Sequence, residues 1–166
     1  MKDNKFETLF LCTGNSCRSI MAEAILQRHG LRDFLAFSAG SHPKGRVNPL
    51  AIQVLEKNNH PTDKLQSKSW DEFAGDNYDL DFVITVCDNA AGETCPIWPG
   101  QPMTAHWGFE DPDRPDLDEE QQLHLMDKIY WEIDFRIKLL TSLPIDKLDS
   151  MSLKEKLGEI GQSSKS

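Results

Sequence analysis

The chain has 166 residues, of which 39% are hydrophobic and 27% charged, with a formal net charge of −9. That length suits one domain with its own core, and an acidic surface argues against nucleic acid or anionic membrane as a partner. No apolar run approaches the ~20 residues of a bilayer span, and the apolar stretch ending at Leu11 is too short for a signal peptide. A cytoplasmic, reducing location is therefore expected, where four cysteines read as catalytic or redox groups before a disulfide framework.

In chain order, Phe6–Leu11 reads as a strand and Ile20–Leu26 opens a helix that fades near His29-Gly30. Phe34–Gly40 reads as a second strand, followed by a loop from Ser41 to Val47 rich in Gly, Pro and basic residues. Asn48 is an N-cap candidate with Pro49 at the first helical position, and the helix ends near Asn58-Asn59. Ser67–Ala74 suggests a short helix capped by Ser67 or Ser69, and Asp81–Val86 a buried strand. A loop over 88–100 leads to a short strand over Thr104–Phe109, then to a loop at Asp111-Pro112. The longest helix runs from about Asp116–Asp118 to Leu140, with Leu123, Met126, Ile129, Tyr130, Ile133, Ile137 and Leu140 on one side. From Pro144 the chain turns polar, so the expected organisation is one domain over 1–143 and a polar, partly disordered tail over 144–166. A helix near Ser152–Leu157 is only weakly marked. The alternation predicts a four-stranded parallel sheet with helices on both faces, with ligands outside the carboxyl ends of its strands.

Chemistry concentrates between the first strand and the first helix, in Cys12-Thr13-Gly14-Asn15-Ser16-Cys17-Arg18-Ser19. Five residues separate Cys12 from Arg18. That spacing lets the loop curl round a tetrahedral oxyanion, with amide N–H groups inward, a helix N-terminus beneath and the Arg18 guanidinium forked onto two oxygens. Thr13 to Ser19 are thus the expected substrate-binding residues. Gly14 and Asn15 tolerate the positive φ of such a nest. Beside a guanidinium and a helix N-terminus a thiol can titrate at ~3.5–7.5, so Cys12 is expected to be a thiolate at neutral pH. The alternative is a small buried hydrophobe closing a strand.

This loop, extended through Met21-Ala22-Glu23, resembles that of the low-molecular-weight protein tyrosine phosphatases and of the arsenate reductases built on their fold. By itself the motif does not separate the two activities.

Cys87 and Cys95 lie in the second loop. Their spacing lacks the close Cys-x2-Cys knuckles or paired histidines of structural zinc, and a static disulfide does not suit the compartment. They are either two unrelated buried thiols or a relay. In a relay Cys87 attacks the sulfur of Cys12, and Cys95 carries the resulting disulfide to where a reductant reaches it. Cys12 and Cys87 lie at the carboxyl ends of two strands of the sheet and are expected to open on one rim. The segment Cys95-Pro96 and then His106–Pro112 extends the resemblance to the thioredoxin-coupled arsenate reductases. Seven residues lie between Cys87 and Cys95, one more than in the best-known relatives, and related enzymes use glutathione and glutaredoxin instead of thioredoxin.

Breaking a bond to an oxygen leaving group needs a proton, which makes Asp111 the candidate general acid, a role the resemblance also gives to the Asp of this Asp-Pro pair. The alternative, on local sequence alone, is that Asp111 merely caps a turn. Ser19 is placed to donate to the Cys12 thiolate, and Cys17 reads as a bystander thiol in the loop. Asp113-Arg114 stands where phosphatases commonly carry Tyr, and the Asp113 charge is expected to repel a phosphopeptide. In some relatives residues matching Asn15, Glu23 and Ser38 hold potassium. The Asp completing that set falls near Ser69 here, so no tight cation site is expected.

The resulting expectation is an arsenate reductase with catalytic Cys12, Arg18, Asp111, Cys87 and Cys95, no cofactor and no metal. Arsenate is its substrate, a thioredoxin-type protein its reductant, and a monomer its expected state. The alternatives are a tyrosine phosphatase, which needs only Cys12, Arg18 and Asp111, and a non-catalytic oxyanion or redox sensor.

Overall fold

The computed structural model describes residues 5–75, 78–87, 98 and 100–163. Four parallel strands, β1 (Phe6–Cys12), β2 (Phe34–Gly40), β3 (Phe82–Thr85) and β4 (Met103–His106), form one sheet in the order β2-β1-β3-β4. Register runs from Phe6↔Phe34 to Cys12↔Gly40 on one side of β1 and from Thr8↔Phe82 to Leu11↔Thr85 on the other. The order reverses at β1, and the crevice beyond the carboxyl ends of β1 and β3 is where such sheets bind ligands.

The period of two in β1 divides the core. Phe10 and Cys12 face one hydrophobic cluster with Phe82 and Ile84, and Leu9 and Leu11 face the other with Val83. Helices α1 (Arg18–His29), α2 (Pro49–Lys57), α3 (Glu119–Thr141) and α4 (Ser150–Gln162) all contribute to the first cluster. The second is covered by the one-turn 3-10 helix Trp70–Phe73 with Leu80 and Trp98. Helices therefore lie on both faces, but unequally.

Local chemistry fixes the ends. Asn48 accepts from the Leu50 N–H and Pro49 opens α2, as the sequence predicts. Ser69, the second of the two serines considered, caps the 3-10 turn. Asp118 and Gln121 form a reciprocal capping box on α3. β4 ends at His106, three residues earlier than expected, because Trp107 leaves the strand to lie fully buried in the core.

Within the stretch read as a polar tail, Ser150–Gln162 form helix α4, capped by Asp149 and burying Leu153, Leu157 and Ile160. The apolar residues recur at i, i+4 and i+7 among many polar ones, which is enough for one docked face. Residues 164–166 lie outside the described residues. Among the described residues no helix is long and apolar enough to cross a membrane.

Candidate active site

The loop between β1 and α1 is held from outside by its carbonyls. Thr13 O accepts from the His42 N–H (2.9 Å), Gly14 O from Lys44 N–H (3.0 Å) and Ser67 Oγ (3.2 Å), and Ser16 O from Asn48 N–H (2.8 Å). Across a planar trans peptide the next N–H points the opposite way. The N–H groups of Gly14, Asn15 and Cys17 therefore turn toward the loop centre. Helix α1 begins there with no side-chain cap and no acidic residue in its first turn, which leaves its N-terminal donors for an anion.

Asn15 is the pin. It adopts the left-handed conformation (φ 46°), its Oδ1 accepts the Lys68 N–H at 2.8 Å, and its Nδ2 donates to Ser19 Oγ at 2.8 Å. Because the Lys68 amide can only donate, the orientation of the Asn15 amide is fixed. Ser19 Oγ then accepts, which leaves its own proton free to be donated. Gly14 does not use a positive φ, contrary to expectation. Its small size matters instead, since a Cβ there would come within 3.2–3.4 Å of the Lys44 side chain.

Arg18 reaches back across the loop. Nη1 donates to Phe109 O at 2.9 Å and Nη2 lies 3.6 Å from Asp111 Oδ2. Its Nε is buried with no hydrogen-bond partner among the described residues, a donor left for an oxyanion. Asp111 Oδ1 accepts the Asp113 N–H at 2.9 Å, and the Asp111 carboxyl is half exposed on the rim while Trp107 and Phe109 are buried behind it.

Cys87, two residues past the end of β3, lies against this loop. The Thr13 N–H donates to its Sγ at 3.3 Å and Thr13 Oγ1 is 3.7 Å from the same sulfur, so Cys87 lies against the residue next to Cys12. The neighbouring Cys87 thiol, together with burial, raises Cys12 above the ordinary thiol range, while the Arg18 guanidinium pulls it down. Cys12 and Cys87 therefore titrate as a pair, with Arg18 and the helix N-terminus favouring the anion that the motif predicts. Cys17 is pushed up to about 11 by burial and stays a thiol, as befits a bystander. Cys95 lies outside the described residues.

Several contributors escaped the sequence reading. Lys44 Nζ pairs with Asp113 Oδ2 at 2.7 Å, joining the 41–47 loop to the acid loop, so Asp113 does not present a bare charge to substrates. Such an exposed pair contributes little energy of its own, ~0–1 kcal/mol. Arg114 turns aside to grip Asp116 through two bonds of 2.9 and 2.7 Å. Lys68 Nζ lies 3.9 Å from Glu23 Oε1, which also accepts from Ser38 Oγ at 2.5 Å. The positive charge beside Glu23 is thus supplied by an ammonium, and the donor set does not fit a tightly held potassium ion.

A parallel sheet carrying a Cys-x5-Arg anion loop and an Asp-Pro acid loop defines a class. The chain belongs to the low molecular weight phosphotyrosine protein phosphatase family, which it matches over residues 7–148. Within that family its curated relatives include the arsenate reductase of Bacillus licheniformis, 37% identical over 129 residues, covering 78% of this chain and 90% of that protein. Among solved structures, an arsenate reductase in the phosphate-binding state aligns with a TM-score of 0.67 and 28% identity, covering 82% of this chain and 97% of that one. A thioredoxin-dependent arsenate reductase from Corynebacterium glutamicum aligns with a TM-score of 0.62 and 26% identity over 84% of this chain and 62% of that one.

Proposed function

We propose that this chain reduces arsenate to arsenite through Cys12 and an intramolecular thiol relay. The observation that carries the reading is the sulfur of Cys87 at the anion loop, 3.3 Å from the Thr13 amide that follows Cys12. A phosphate-ester hydrolase has no use for a second thiol there.

Arsenate sits in the loop on the inward amides and on Arg18. Cys12 attacks as the thiolate, any proton on it passing to an arsenate oxygen as the anion binds. Cys12 Sγ then forms a bond to arsenic, and one oxygen leaves as water with a proton from Asp111. Cys87 gives its proton to an oxygen of the departing arsenic group as its sulfur attacks Cys12 Sγ. The S–S bond forms, the S–As bond breaks, and the electron pair stays on arsenic, which departs as arsenite. Two thiols have become one disulfide while As(V) has become As(III). Cys95 then attacks Cys87, frees Cys12 for another turnover, and offers a Cys87–Cys95 disulfide to a thioredoxin-type dithiol.

The test is a coupled assay. Protein, arsenate, thioredoxin, thioredoxin reductase and NADPH should consume NADPH, and Cys95→Ser should stop turnover after one arsenite per chain. Oxidation of NADPH with glutaredoxin and glutathione but not with thioredoxin would move the donor assignment. No arsenite from the wild-type chain with either donor would refute the function.

A further inference from the structure

The family match ends at residue 148, but α4 follows it and is built into the site. Its inner face buries Leu153, Leu157 and Ile160. The Trp107 indole N–H donates to Leu157 O at 3.0 Å. Gly161 approaches β4 so closely that a Cβ there would be 2.5 Å from His106 O and 2.9 Å from Trp107 Cδ1. Arg136 of α3 closes the arrangement. Its Nε donates to Ser163 O at 3.1 Å and its Nη1 to Gly108 O at 3.0 Å, while the guanidinium carbon lies 4.3 Å from the centroid of the Phe109 ring.

These contacts converge on residues 106–109, immediately before the acid loop. Phe109 also supplies the carbonyl that Arg18 Nη1 holds at 2.9 Å, and Asp111 stands two residues further on. A planar guanidinium bonded to two carbonyls and stacked on a ring tolerates little displacement. We propose that Arg136 and α4 are positioning elements of the active site, which hold the Trp107–Phe109 segment so that Asp111 meets the leaving oxygen. The α3 side chain sets the height of that segment, and α4 prevents it from lifting off the sheet edge. Burial lowers the Arg136 pKa, a cost consistent with the guanidinium being held by its geometry and not by a surface charge pair.

The inference rests on Asp111 as the acid, and its test uses a reaction that does not need the relay. Full-length protein and its variants Arg136→Met, Arg136→Lys and Gly161→Ala, the last of which pushes α4 off His106, are assayed on two esters, phenyl phosphate and 4-nitrophenyl phosphate. Their leaving groups differ in how much they need a proton. A misplaced acid in Arg136→Met should lower kcat on phenyl phosphate about tenfold, a part of the ~10²–10⁴-fold that general acids contribute, with KM within about twofold. On 4-nitrophenyl phosphate the fall should stay under about twofold, since that phenolate leaves almost unaided. Lys, which reaches one carbonyl but cannot fork or stack, should recover part of the loss.

Equal falls on both esters would overturn the proposal, because general damage to the fold does not sense the leaving group. An unchanged ratio in Arg136→Met and in Gly161→Ala would also overturn it, as would a wild-type protein that cleaves neither ester. If Arg136→Met does not fold by circular dichroism, the same ratio is read in Arg136→Lys, where the expected contrast is smaller. Wild-type protein that cleaves esters but releases no arsenite would refute the reductase reading and leave this one standing.

Discussion

Gly40 pairs with Cys12 in the sheet register, and a methyl added there meets backbone and not a movable side chain. Its Cβ would lie 2.5 Å from Thr13 O, 2.8 Å from Cys12 O and 3.0 Å from the Asn15 Cβ. Since carbon and oxygen normally stay ~3.3 Å apart, Gly40→Ala requires Thr13 O to move by about 0.8 Å. The Gly40 N–H is fixed to Lys68 O at 2.9 Å and β2 is paired along its whole length, so the anion loop is the part that moves. Crowding of this kind destabilises by ~1–3 kcal/mol, which for this size lowers Tm by about 2–12 °C. The cost to chemistry is larger in proportion, because a displacement approaching ~1 Å at the nucleophile loses up to about 10²-fold. The assay is kcat/KM for arsenate in the coupled system, with a calorimetric melt in parallel. A kcat/KM within twofold of wild type and an unchanged Tm would refute the claim that Gly40 sets the loop.

Cys87→Ala removes the largest influence raising Cys12, so Cys12 should be alkylated faster by iodoacetamide at pH 7 and be protected by arsenate. Each tenfold gain in thiolate costs about threefold in nucleophilicity, for a net gain of about threefold, read by peptide mapping. His60, buried and 2.6 Å from the Tyr130 hydroxyl, has its pKa lowered to about 4 by burial. Its contribution is complete above the ordinary histidine value and is lost as pH falls from about 6.5 toward 4, on the order of 3 kcal/mol in all. His60→Gln should therefore lose less Tm than wild type between pH 7 and 4.5. Glu23 has its pKa raised, first by burial, so its effect runs the other way: stability is full when the carboxyl is protonated and falls as pH rises through the folded value. Glu23→Gln, which keeps an acceptor for Ser38, should raise Tm at pH 7 and match wild type near pH 4.

The anion loop was legible in the sequence because its determinants are local. A strand, a five-residue gap, Arg18 and a helix start are consecutive, and Asn15 at φ 46° fills the role its side chain suggests. The meeting of Cys12 and Cys87 was legible through topology, since both follow the carboxyl ends of neighbouring strands. What stayed hidden depends on contacts across many residues. Nothing near Arg136 in the chain points to Gly108 or Phe109, and nothing near Lys68 points to Glu23 or Asn15. Helix α4 was masked by its polar face, with three buried residues carrying the docking. Motif reasoning about Cys12 weighs Arg18 and the helix terminus but not the opposing influence of the second sulfur.

The most direct measurement is peptide mapping by mass spectrometry of Cys95→Ser protein quenched after a single arsenate turnover. A disulfide joining Cys12 to Cys87, with one arsenite released per chain, is the predicted result. Arsenite released with Cys87 still alkylatable, or no arsenite with both thiols reduced, would contradict the relay.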